Sequence, residues 1–136
     1  MVEWDDMGDR TPALFEAALE AVPMPVLIHG DKTVLYANEA AVAALGGRDA
    51  SDILGLELAR IVHPDGAEAG TTRRTLVFEH GHTVTGAPVK LIGVDGITRH
   101  AVVNGTPIDY SGLRAIMVTA TLVRMSPDGE TDTQPA

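Results

Sequence analysis

The chain has no cysteine, which excludes disulfides, thiolate metal centres and cysteine nucleophiles. Aromatic residues are scarce, with one Trp, two Tyr and two Phe, and a large planar cofactor would find few stacking partners. Basic residues are in deficit, and the formal net charge is -9. Duplex binding needs clustered Lys and Arg, so nucleic acid is not an expected partner. An anionic membrane surface is disfavoured on the same ground. No apolar run approaches the roughly 20 residues of a membrane span. The opening MVEWDDMGDR carries acids where a signal peptide would be basic. These absences point to a soluble cytoplasmic domain, or to a piece cut from a larger cytoplasmic protein.

What is present suits one compact domain. The 136 residues can bury a core without staples. Residues 1–10 are polar and read as a flexible N-terminus, and residues 126–136 read as a disordered tail or linker. Between them, residues 11–125 read as a single domain. It opens with a helix over 11–22, where Thr11 can cap and Pro12 fits the first turn. Leu14, Phe15, Ala18, Leu19 and Val22 fall on one helical face. Pro23 and Pro25 end that helix.

VLIHGDKTVLYAN (27–38 with Val26) reads as a hairpin turning through Gly30, Asp31 and Lys32. The second strand then runs into an alanine-rich helix with no loop between them. Asn38 is the expected N-cap at that seam, with Glu39 in the first turn and Gly46 and Gly47 ending the helix. Short helical pieces follow, one with Ser51 as its cap and one stopping at His63-Pro64. A longer helix spans GAEAGTTRRTLVFEHG. Three strands close the chain, the first two separated by the Asp95-Gly96 turn. The pattern is α+β: one antiparallel sheet with short helices over one face.

The last strand, LRAIMVTATLVRM, is apolar on both faces through its middle. A half-exposed strand alternates apolar with polar, so both faces must be covered. The amphipathic N-terminal helix or a partner subunit is the available second cover.

Taken in order, these pieces resemble the PAS domain of bacterial sensory and signalling proteins. VLYANEAAVAALGGRDASDILGLELARIVHPDG is similar to the first half of that family, and TLVFEHGHTVTGAPVKLIGVDGITRHAVVNGTPI to the second. The resemblance implies a five-stranded antiparallel sheet cradling a pocket under short helices, and a role in signal transduction. It also implies a homodimer through the N-terminal helix and outer sheet face, and an effector domain or signalling partner. Carried onto this chain, the pocket positions are Val26, Ile28, Val89, Leu91, Ala101, Val103, Met117, Thr119 and Thr121. That set would bind a small, mostly apolar ligand. The dimer positions are Leu14, Phe15, Leu19, Val22, Ile116, Val118 and Leu122.

The cofactor itself is not identified by the resemblance. The family's light-sensing branch attacks flavin with a cysteine where this chain has Leu58, so covalent flavin photochemistry is excluded. A haem-binding sensor is the alternative, with His80 or His82 near the end of the long helix as axial ligand, although loop histidines beside glycine are poorly oriented for it. His29 and Lys32 stand where the family often has Asp and Gly. His29 and His100 lie beside turns and read as exposed, and His63 reads as a turn and capping residue. Glu16, Glu20 and Glu39, like Arg73 and Arg74, read as solvated helix faces. No nucleophile elbow, phosphate loop or H-E-x-x-H motif occurs, and no enzymatic activity is expected.

Overall fold

The computed structural model describes residue 14 and residues 16–126. Thr11, Pro12, Phe15, the 1–10 segment and residues 127–136 lie outside the described residues. Residues 16–20 are helical. After Pro25 the chain forms β1 (Val26–His29) and β2 (Val34–Ala37), then helix α1 (Glu39–Ala44). A 3-10 turn at Ala50–Asp52 leads to α2 (Leu58–Ile61), a second 3-10 turn at Pro64–Gly66 and the long α3 (Ala67–His80). The strands β3 (Val84–Ile92), β4 (Thr98–Tyr110) and β5 (Leu113–Ser126) complete the chain. All pairings are antiparallel, in the order β2-β1-β5-β4-β3. This is the expected five-stranded α+β architecture, and β5 lies at its centre.

The seam at Asn38 is a cap. Its Oδ1 accepts from the amide of Ala41 at 2.9 Å, which satisfies an orphan donor of the first turn of α1. At the next turn the cap differs from expectation. Asp49, not Ser51, opens the 3-10 turn: its carboxylate accepts from the Ser51 amide at 2.8 Å, and a carboxylate is the stronger acceptor. His63 does cap, its Nδ1 accepting from the Asp65 amide at 3.1 Å.

Each sheet face carries its own apolar cluster. On the inner face, Val34, Ala37, Ala41, Val42, Leu45, Ile53, Leu58 and Ile61 pack together, joined by Leu27 and Leu91. On the outer face, Ile28, Tyr36 and Ala115 form a second cluster with Leu19, Ile108, Tyr110 and Met117 against it. Leu19 comes from the N-terminal helix, which therefore covers the outer face of its own chain. Side-chain hydrogen bonds hold it there, among them Tyr36 donating to Glu20 at 2.7 Å and Tyr110 donating to Glu16. Glu16, half-buried, and Glu20, still exposed, thus anchor the helix to the sheet. Burial raises the pKa of both phenols, and the neighbouring carboxylates add to it, taking Tyr110 to about 12. Among the described residues no helix is long and apolar enough to cross a membrane.

Candidate functional site

Between the inner sheet face and the helices α2 and α3 lies an apolar cleft of about 780 Å³. Its floor comes from β1, β3, β4 and β5, and its walls from Leu58, Ile61 and Val77. The helices contact the sheet at β1 and β2 on one side and along β3, β4 and β5 on the other, and the cleft opens among them.

The strand register decides which expected residues reach it. Residues directly opposite in an antiparallel pair share a face. Ala101 faces Leu122, Val103 faces Ala120, Gly105 faces Val118 and Pro107 faces Ile116. The cleft floor therefore joins Ala101 and Val103 to Ile116, Val118 and Leu122, with Val89 and Leu91 from β3. Of the expected pocket set, Val89, Leu91, Ala101 and Val103 line the cleft. Val26, Ile28, Met117, Thr119 and Thr121 do not. Across β1 and β5, Val26 pairs with Thr119 and Ile28 with Met117, and Thr121 pairs with Val102 of β4. Ile28 and Met117 belong to the outer cluster, and Thr119 accepts from Asn104 at 3.3 Å.

The correction runs the other way for the expected dimer positions. Ile116, Val118 and Leu122 lie on the cleft floor and are not outer-face residues. Leu14 is exposed, and Leu19 and Val22 are half-buried. The physical reason is parity. A one-residue slip exchanges the two faces of a strand, and both faces of β5 are apolar, so its composition does not choose between them. A bulge between His100 and Ala101 shifts the register further.

Polar groups enter the cleft from three elements. Arg73 and Arg74 of α3 line it, both half-buried, whereas a solvated helix face was expected. Lys90 of β3 also lines it and is paired with Asp65 at 3.1 Å. His29 of β1 lines it and is only 6% exposed, so it is not the exposed turn residue its position suggests. Its Nδ1 lies 2.8 Å from the Gly30 carbonyl. Burial pushes its pKa below the ordinary value, the Gly30 hydrogen bond opposes this, and the charge of Arg74 lowers it further. His80 and His82 are exposed beyond the cleft lining, so neither is placed to ligate a haem held in it. Leu58, at the position of the flavin-reactive cysteine, is buried on the cleft wall.

One buried charge was not anticipated at all. Arg99 is 2% exposed, and its guanidinium grips Asp95 at 2.7 and 2.8 Å. It also donates to the carbonyls of Ile97 and, through Nε, of Ala44. This fork ties the β3–β4 turn to the last turn of α1 and holds that helix beside the cleft. Gly46 and Gly93 make room for it. A Cβ at Gly46 would lie 2.6 Å from Asp95 Cγ, and one at Gly93 would lie 2.6 Å from Arg99 Cζ. The Asp95…Arg99 spacing across an Asp-Gly turn was the available signal.

Comparison with known proteins agrees with this architecture. The sequence model described as a PAS domain matches residues 13–78. No curated protein matches the chain. Among solved structures, the PAS domain of nitrogen regulation protein NR(II) from Vibrio parahaemolyticus is similar, with 24% identity, 81% of this chain and 98% of that chain covered, and a TM-score of 0.64. The PAS domain of an HTR-like protein from Haloarcula marismortui has 18% identity, coverages of 88% and 97%, and a TM-score of 0.65. The PAS domain, in complex with ethanol, of a LuxR-family transcriptional regulator from Burkholderia thailandensis has 18% identity, coverages of 80% and 96%, and a TM-score of 0.63. At these identities the structures share the fold. The match to the PAS domain model carries β1 through most of α3, the remaining strands complete the same sheet, and the chain has the PAS fold.

Proposed function

We propose that this PAS-fold domain is a sensory signalling module and senses a small and mostly apolar molecule taken into the cleft. The observation that carries the reading is the cleft itself: an apolar space of about 780 Å³ left between sheet and helices. Protein interiors are otherwise close-packed, and concave apolar sites with a few polar groups are where small ligands bind. A structural relative described in complex with ethanol supports the same use of this fold. The proposed activity is binding, not catalysis. In this reading the domain works in the cytoplasm as a homodimer and passes its signal to an attached effector domain or partner. The N-terminal helix is the natural output element, because it packs on the outer face of strands whose inner face forms the cleft floor. Ligand binding shifts that output only if it favours one arrangement over another.

Native mass spectrometry of freshly purified protein, with an absorbance spectrum, tests this directly. The expected result is a dimer carrying a colourless extra mass, or an empty protein whose melting temperature rises when octanol is added. A ligand at about 100 times its Kd stabilises by about 2.7 kcal/mol, which is several degrees for a domain of this size. No retained mass and no thermal shift would overturn the reading. A Soret band would replace it with haem sensing.

A further inference from the structure

The cleft has the opposite charge character from the chain. The sequence holds 19 acids and 10 Lys or Arg, so a lining drawn without regard to charge would be acidic. Instead Arg73, Arg74, Lys90 and Arg124 line the cleft against a single acid, Asp65, and that acid is bridged by Lys90. Low-dielectric walls focus such a field and concentrate ligands of opposite sign.

His29 supplies an independent observation. It is 6% exposed and hydrogen-bonded through Nδ1 to the Gly30 carbonyl at 2.8 Å. A carbonyl oxygen only accepts, so the hydrogen sits on Nδ1 and Nε2 keeps its lone pair. No described residue donates to Nε2. Yet among the described residues no fully enclosed side-chain nitrogen lacks a partner. Nε2 is therefore not fully sealed in the core, and the cleft is the space that His29 lines. Arg74 lies near enough for its charge to act on the imidazole. Arg74 gives one hydrogen bond to Thr71, at 3.2 Å, which leaves most of its five-donor fork for another group.

A lone-pair acceptor and a guanidinium beside an apolar floor define a ligand class. An alcohol can donate to His29, but it offers Arg74 only one neutral oxygen, with neither the charge nor the second oxygen that a guanidinium fork pairs with. An apolar chain without a polar end serves neither. A carboxylate bound together with one proton taken up from solvent serves both, with that proton lying between one carboxyl oxygen and Nε2 and the other oxygen facing Arg74. We infer that the cleft is selective for small apolar carboxylic acids, with Arg74 binding the carboxyl oxygens, His29 Nε2 sharing one proton that the complex takes up from solvent, and the hydrocarbon body lying on Leu27, Ile116 and Val118. The selectivity rests on the cleft being a ligand site at all, and the test separates the two.

The probes are octanoate and octanol, which share a chain length and differ in the polar end. Isothermal titration of both into the purified protein at neutral pH is expected to show octanoate binding about tenfold tighter or more, the scale of one charge-assisted hydrogen bond. Arg74→Gln is expected to abolish that preference while leaving octanol affinity within about twofold. Arg74→Lys keeps a point charge without the fork and should retain part of the preference, which distinguishes lost recognition from a misfolded variant. In labelled protein the His29 Nε2 nitrogen resonance is expected to move when octanoate is added. Equal affinities, tighter octanol, or a preference that survives Arg74→Gln would overturn the carboxylic-acid inference and leave the cleft reading standing. A His29 resonance unmoved by bound octanoate would overturn the two-point contact. Binding of neither probe would overturn the cleft reading together with the inference.

Discussion

Asn38 Nδ2 donates to the carbonyl of Leu19 at 3.0 Å, and this bond ties the end of the N-terminal helix to the corner where β2 becomes α1. The same amide group reaches the Met24 carbonyl at 3.0 Å and the Val22 carbonyl at 3.4 Å. On its other side Oδ1 accepts from both Val26 and Ala41 amides, at 3.0 and 2.9 Å. Carbonyls on one side and amides on the other fix which end is nitrogen. The residue is fully buried.

Asn38→Ala should therefore cost much more than a helix cap. A lost cap accounts for about 1 kcal/mol. The stranded Val26 amide and Leu19 and Met24 carbonyls add about 1 kcal/mol or more each where water does not reach them. Urea denaturation should show a loss of about 3 kcal/mol or more. A loss near 1 kcal/mol would mean that solvent enters the corner and replaces the side chain. Asn38→Asp should also destabilise, because it keeps the acceptor but turns a carboxylate oxygen toward three carbonyls.

The Arg99–Asp95 fork predicts an acid limit. Hydrogen bonding to Arg99 holds the Asp95 carboxyl at about 2, below its ordinary 3.8. A carboxylate with a depressed folded pKa contributes stability that is complete above the unfolded value and lost as pH falls toward the folded one. Its contribution should disappear between about pH 4 and pH 2. Asp95→Asn should remove that pH step and destabilise at neutral pH, since Arg99 is left buried with one partner fewer. Denaturant midpoints across this window check both. Gly93→Ala should be at least as damaging, because its Cβ would overlap the guanidinium.

His29 titrates in a separate, higher window and with the same sign. Its pKa is lowered from 6.5, chiefly by burial, with Arg74 adding to the effect and the Gly30 carbonyl opposing it. Above 6.5 the unfolded and folded imidazoles are both neutral and contribute nothing to the pH dependence. Below it the unfolded chain takes the proton more readily, so stability falls with falling pH, by at most about 1.4 kcal/mol per unit. The empty protein should be measurably less stable at pH 5 than at pH 7.5, and His29→Gln should flatten that slope. A slope unchanged by His29→Gln would assign it to other groups.

The sequence carried the order of elements because turns and caps are local. Asp95-Gly96, the Asn38 seam and the Gly-flanked end of α3 announce themselves within a few residues. The need to cover both faces of β5 was also legible, since both faces of its middle are mainly apolar apart from Thr119 and Thr121. Which face looks inward was not, because composition on the two faces is alike and the bulge at His100 and Ala101 is set by packing across strands. His29, Arg73, Arg74 and Arg99 were missed for a related reason. Each is polar and sits beside a turn or on a helix, and each is buried or half-buried only because distant chain segments close over it.

The exchange of faces gives the sharpest test of the site. Val118 lies on the cleft floor opposite Gly105, so Val118→Phe projects a ring into the space a ligand would use. Thr121 pairs with Val102 and lies exposed off the cleft lining, so Thr121→Val leaves that space alone. Val118→Phe should lower affinity for octanoate and octanol alike, by about tenfold or more, at a stability cost of no more than about 1–3 kcal/mol, because the ring has open volume to enter. Thr121→Val should leave both affinities within about twofold and stability within about 0.5 kcal/mol. Equal losses from the two variants would point to a general effect on the sheet. The reverse pattern would return Thr121 to the ligand and put Val118 on the outer face, and with it the register argument from Ala101 and Val103 would fail.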